Sequence, residues 1–96
     1  MSEFKILAEN LKLISDENVL TILAFIAQHH SEHITEHDIS GFVGISPTTL
    51  KEKYLEPLCK DGFLQKYYLR DETASYAINK GKMDDTFNIL KIILNS

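Results

Sequence analysis

The chain has 96 residues, 44% hydrophobic and 25% charged, with four glycines and two prolines. Such a composition excludes a disordered segment, and no apolar run approaches the ~18 residues that would span a bilayer. A net charge of −4 excludes a whole-chain electrostatic pull toward nucleic acid, so a single domain over 1–96 is expected, with any anion-binding confined to part of it.

In chain order, Phe4, Leu7, Leu11 and Ile14 fall at three- and four-residue steps, which predicts an amphipathic helix over 3–14. Ser15 and Asp16 offer an N-cap for a second helix over 16–30, apolar round most of its circumference and therefore central. Thr35 and Asp38 have the spacing of a capping box for a short third helix whose inner face is Ile39, Phe42 and Val43, with Gly44 as its left-handed stop and Ile45 as a buried turn residue. Ser46-Pro47 starts a fourth helix as N-cap and N1 proline. Leu50, Tyr54, Leu55 and Leu58 form its inner face and Asp61-Gly62 its end. The period then changes: 63–69 and 74–78 read as two strands joined by a loop at 70–73. Lys80-Gly81-Lys82 is a connector, and residues 83–95 form a last helix. The expected fold is mainly α with a small antiparallel hairpin (α+β), in the order α-α-α-α-β-β-α, which is that of a winged helix-turn-helix.

Three segments sharpen this expectation. The opening stretch from Leu11 to Leu23, the turn Ile39-Ser40-Gly41-Phe42-Val43-Gly44-Ile45-Ser46 and the exit Gly62-Phe63-Leu64-Gln65-Lys66 resemble those of ArsR-type repressors over about residues 11–80. The resemblance implies a DNA-binding homodimer. Two departures stand out. From Leu50 to Leu58 the fourth helix carries one residue more than the ArsR pattern, and Pro57 should kink or bulge it while leaving Thr48 to Lys53 regular. The metal-binding cysteines of that family are absent, so no metal or other cofactor is expected.

The charge is unevenly spread. Residues 1–45 hold two lysines against seven carboxylates, whereas residues 46–82 hold seven basic residues against five acidic ones. Only the middle third can attract an anion. There, Ser46, Thr48, Thr49, Lys51 and Lys53 include the outward positions of the fourth helix and are the candidates for major-groove contact. Lys66 and Arg70 would touch the phosphate backbone from the hairpin, although Asp71 and Glu72 at its tip oppose this. Tyr67, Tyr68 and Tyr76 could stack on bases or pack across the ribbon; alternation lets at most one of Tyr67 and Tyr68 be buried.

His33 and His37 are four apart, the spacing of two imidazoles on one helix turn, but Ile34-Thr35 reads as the break between two helices and removes that geometry. Cys59, the lone cysteine, excludes an internal disulfide and suits a reducing cytoplasm; a buried or half-buried packing role is expected for it. The start, Met1-Ser2-Glu3-Phe4-Lys5, has no signal-peptide pattern. No catalytic triad order, glycine-rich phosphate loop or acid pair stands out, so the expected activity is binding rather than catalysis. The terminal helices 3–14 and 83–95 carry more apolar residues than one small core can cover. Phe4, Leu7, Leu11, Phe87, Ile89, Leu90, Ile93 and Leu94 are the candidate surface for pairing two copies, with Ile6, Leu13 and Ile92 as further surplus. Two functions follow, a homodimeric regulator of double-stranded DNA or a winged-helix adaptor that contacts protein alone; a third, metal or pH sensing through the histidines, requires His33 and His37 to converge.

Overall fold

A computed structural model describes residues 2–29 and 33–94, with the backbone alone at 2, 3, 90, 93 and 94. His30 and Glu32 lie outside the described residues. Helix α1 (Ser2–Ile14) is followed after one turn by α2 (Glu17–Gln28). Asp16 is the cap of α2, its carboxylate accepting from the backbone N–H of Asn18 at 2.8 Å and of Val19 at 3.2 Å. Ser15 turns backward instead and donates to the Lys12 carbonyl.

A strand follows that the sequence reading does not anticipate. Ile34–Thr35 forms β1, antiparallel to β3 (Ala74–Ile78), in the order β1-β3-β2 with β2 (Leu64–Tyr68). The stretch taken as a bare break between helices is therefore the third strand of the sheet. The buried Ser75 hydroxyl locks it by donating to the Ile34 carbonyl at 2.9 Å. Thr35 then caps α3 (Glu36–Val43) with the full reciprocal capping box to Asp38, and Gly44 ends that helix at φ 75°. Both features are local, the box set by reciprocal side chains three residues apart and the stop by a residue without a Cβ, which makes them legible in the sequence.

The next rod is not one regular helix. It comprises α4 (Pro47–Leu50), a π turn (Lys51–Leu55) and α5 (Glu56–Lys60). The Glu56 N–H donates to the Lys51 carbonyl five residues back. In a straight α-helix Leu58 would sit about 80° round from Leu50; the wide turn brings both onto the buried face together with Tyr54 and Leu55. The surplus residue is absorbed there. The bulge was expected near Pro57 with Thr48 to Lys53 regular, and that expectation is corrected: the irregular turn begins at Lys51. A Schellman closure ends the rod, with Phe63 N–H on Leu58 O, Gly62 N–H on Cys59 O and Gly62 at φ 87°.

The hairpin closes through Leu69–Thr73, where Leu69 N–H donates to Thr73 O and Glu72 N–H to Leu69 O, both at 2.9 Å. This loop places Glu72 at φ 68°, the left-handed position usually filled by glycine; its absence there made the turn hard to recognise. Asn79 accepts from Lys82 N–H through its side chain, and α6 (Lys80–Leu94) begins three residues earlier than expected. Lys80-Gly81-Lys82 is thus its first turn and not a connector.

The core gathers Val19, Ile22, Ile26, Ile39, Leu50, Leu55, Leu58 and Phe63 between α2, α3, the rod and the sheet. Phe42, assigned to that core from periodicity, is 57% exposed. Val43 and Ile45 pack only partly against the core. The short α3 can turn one narrow stripe inward, and Ile39 occupies it. The molecule measures 47 × 23 × 21 Å.

Candidate nucleic-acid interface

Two anchors position the α4–α5 rod. Leu50, Leu55 and Leu58 are fully buried on one side, and the Tyr54 hydroxyl accepts from the Asn18 side-chain amide at 2.8 Å, tying the rod to the start of α2. The opposite side is therefore presented outward. Ser46, Thr48, Thr49 and Lys53 are exposed and Lys51 is half-exposed. Pro47 opens the first turn, but Ser46 makes no side-chain cap: its hydroxyl donates to the Thr49 hydroxyl at 3.0 Å. Ser46 thus holds the expected N-cap position without a side-chain cap bond, which leaves a small hydroxyl cluster at the exposed start of the rod.

The two lysines do not share a surface. Lys51 borders a polar cleft with Thr48, Glu36, Glu52 and Glu56. Lys53 leans toward the other flank, where Glu9, Asp16 and Asp61 lie, with its ammonium 5.7 Å from the centre of the Tyr54 ring. Lys51 and Lys53 are thus each set among carboxylates, with Lys12 sharing the Lys53 flank. Glu36 is held in its cleft by the Tyr76 hydroxyl, which donates to Oε1 at 3.2 Å. Burial first, and then the Glu36 carboxylate, push the Tyr76 phenol well above its ordinary pKa. Tyr76 is almost wholly covered, so it cannot stack on a base; its ring belongs to the core.

The hairpin presents Lys66 and Arg70, both exposed. The Lys66 ammonium lies 5.4 Å from the centre of the Tyr68 ring, and Tyr67 and Tyr68 are both solvent-facing. Asp71 at the tip is held below the usual carboxylate range, chiefly by the Thr73 hydroxyl and then by the Thr73 backbone N–H, which donates at 3.1 Å. It therefore keeps its negative charge beside Arg70. Cys59 is half-buried, and burial raises its thiol pKa despite the nearby Lys66 charge.

The histidines are not brought together on a helix turn. His33 precedes β1 and lies 3.4 Å from the Tyr67 hydroxyl through Nδ1, whereas His37 is exposed on α3. Among the described residues no group of three His, Cys, Asp or Glu side chains is placed to hold a metal ion. A cavity of about 580 Å³ lies between the end of α2, the sheet and the start of α6, with His29, Tyr67, Tyr76 and Lys80 among its walls.

The terminal helices pack together, with Ile6, Leu7 and Asn10 of α1 facing Thr86 and Ile89 of α6. Of the residues assigned to pairing, Phe4, Phe87 and Ile89 are about half exposed. Leu7 is buried within the chain, so the pairing assignment is corrected for it, whereas Leu11 is half-exposed and packs partly on the core. The side chains of Leu90, Ile93 and Leu94 lie outside the described residues. Ile6 and Ile92 extend the exposed apolar surface, Ile92 at 68%.

Helix, turn, helix and three-stranded ribbon, in this order and register, can be compared with known proteins. No family model matches the sequence, and no curated protein matches it. Among solved structures, a point mutant of Staphylococcus aureus MepR superposes with a TM-score of 0.66 at 11% identity, covering 98% of this chain and 72% of that one. MepR itself, described as a transcription regulator of the S. aureus multidrug efflux pump MepA, superposes with a TM-score of 0.64 at 11% identity over 99% and 78%. The fold is a winged helix-turn-helix. At this identity the likeness establishes architecture, and the sequence departures from the ArsR pattern stand beside it. No described helix is long and apolar enough to cross a membrane.

Proposed function

We propose that this chain is a homodimeric transcription regulator that binds double-stranded DNA sequence-specifically, resembles the ArsR type without its metal-binding cysteines, and acts in the cytoplasm by binding rather than catalysis. One observation carries this reading: the start of the reading rod, Ser46 to Thr49, is exposed with its hydroxyls outward while the opposite side is sealed into the core. Thr48 and Thr49 would meet base edges, with hydroxyls for donors and acceptors and a methyl for thymine. Glu52, exposed on the same rod, adds an acceptor suited to the cytosine amino group. Lys66 and Arg70 would supply backbone contacts, and Lys51 and Lys53, each among acids, fewer than their number implies. The exposed Phe4, Ile6, Phe87, Ile89 and Ile92 support pairing of two copies through α1 and α6.

Selection from a random duplex pool at near-physiological salt tests the reading, and a two-fold motif is the expected result. In a titration on that motif, Lys66→Ala should reduce the slope of log K against log salt by about 0.9, roughly a 3.5-fold difference in affinity loss between 50 and 200 mM salt. Recovery of no motif would transfer the case to a second reading, a protein-contacting adaptor. That reading is favoured by the carboxylates of Glu36, Glu52 and Glu56 around Lys51.

A further inference from the structure

One exposed aromatic surface is used neither by the reading rod nor by the terminal helices. Phe42 on α3 stacks on Phe25 of α2 with ring centres 4.4 Å apart and planes 24° apart, and Phe25 meets the His29 ring at 4.7 Å. Phe25 is half-buried, so the ladder is fixed to the core at one end, while Phe42 remains 57% exposed at the other. Gly41 precedes it, and a side chain built there would meet nothing within 4 Å. Open space therefore lies next to the stacked ring, on the outside of two packed helices. Scattered exposed apolar residues are ordinary, but a stacked pair held in place beside open space is a preformed apolar anchor point.

The charge around it selects the occupant. Helices α2 and α3 carry no lysine and no arginine but three carboxylates, Glu17, Glu36 and Asp38, of which Glu36 turns away to the Tyr76 hydroxyl. Asp38 is one helical turn before Phe42 and borders the same side of α3. Its carboxylate accepts from the Thr35 N–H and hydroxyl as the helix cap, which fixes its place. Glu17 opens α2. A phosphate-bearing surface would be repelled by this face, and an apolar segment flanked by lysine or arginine would be attracted to it. We propose that the Phe25–Phe42 face of α2 and α3 docks a cationic amphipathic segment of a protein partner. The proposal is independent of DNA binding, because its residues lie outside the reading rod and the hairpin.

The test is an amide-resolved NMR titration of the full chain in about 0.15 M salt, with a synthetic Leu/Lys amphipathic helix of about 14 residues as probe and its Leu/Glu counterpart as control. Shifts confined to residues 20–28 and 37–44 with the Leu/Lys helix, and none with the Leu/Glu helix, are expected. Phe42→Ser removes an exposed ring and should weaken this binding about tenfold, while Tyr68→Ser, an exposed ring on the hairpin, should leave it unchanged. Shifts spread over the other acidic surfaces, equal binding by Phe42→Ser, or no binding would overturn the proposal. So would dilution of the chain alone reproducing the same shifts, which would assign the face to a second copy.

Discussion

The π turn in the α4–α5 rod makes a prediction that a regular helix would not allow. Deleting one residue from an α-helix rotates everything beyond it by about 100°. Applied to a uniform α-helix here, that rotation would expose Leu58, which is fully buried, at a cost of about 2–5 kcal/mol. In this rod Glu52 is exposed and lies inside the Lys51–Leu55 turn. Its removal converts the bond from Glu56 N–H to Lys51 O into an ordinary four-residue step and keeps Leu50 and Leu58 on one face. Pro57 must be replaced at the same time, since its ring would meet the Lys53 carbonyl once the turn tightens. Deletion of Glu52 in a Pro57→Ala background should therefore change stability by no more than about 1 kcal/mol relative to Pro57→Ala alone, a shift of roughly 4–8 °C or less for a domain of this size. Deletion of the exposed Ala24 from the regular α2 is the comparison, and it should cost several times as much because Ile26 leaves the core. Thermal unfolding followed by circular dichroism reads both. If loss of Glu52 depresses the midpoint as far as loss of Ala24 does, the wide turn is not an absorbed extra residue and the argument fails.

Three further outcomes follow from single side chains. Glu72→Gly should raise stability by about 0.5–1 kcal/mol in urea unfolding, because the φ of 68° penalises any residue with a Cβ by more than glycine loses in chain entropy; no gain would mean the loop is relaxed as it stands. Tyr76 has its phenol pKa raised by burial and by Glu36, so the unfolded chain loses that proton first and stability should fall as pH rises above the ordinary tyrosine value of about 10. Tyr76→Phe should lessen that alkaline loss at a cost of about 1 kcal/mol at neutral pH, and an unchanged pH profile would contradict it. Burial also raises the Cys59 thiol, so its reaction with a disulfide reagent at pH 7 should be slower in the folded chain than in urea; equal rates would place the thiol in solvent.

Much of the architecture was legible because its signals are local. Thr35 and Asp38, Gly44, Ser46-Pro47 and Gly62 each act within one turn of chain, and each marked its boundary close to where the structure has it. The start of α6 is also set locally, by Asn79, whose side chain accepts from Lys82 N–H, ahead of the two lysines and glycine that read as a connector. Phe42 was misassigned because periodicity marks a stripe without stating how wide a stripe the neighbouring helix can cover. Of the candidate site, the exposure of Ser46, Thr48 and Thr49 followed from the inward anchors of the rod. Of the acids beside Lys51 and Lys53, Glu52 and Glu56 belong to the rod, whereas Glu9 of α1, Asp16 at the cap of α2, Glu36 of α3 and Asp61 lie outside residues 46–60, and no spacing within that stretch encodes them.

What the chain determined by itself, then, is the list of helices and hairpin strands and which side of most of them is greasy, since these depend on neighbours within about one turn or on alternation. Three decisions waited for the packed molecule. Ile34–Thr35 became a strand only because β3 offered it partners forty residues away. The extra residue between Leu50 and Leu58 became a π turn only because both leucines had one core to enter. The field over the α4–α5 rod is set in part by carboxylates that meet it across the fold, Glu9, Asp16 and Glu36, because charge acts through space and takes no account of sequence order.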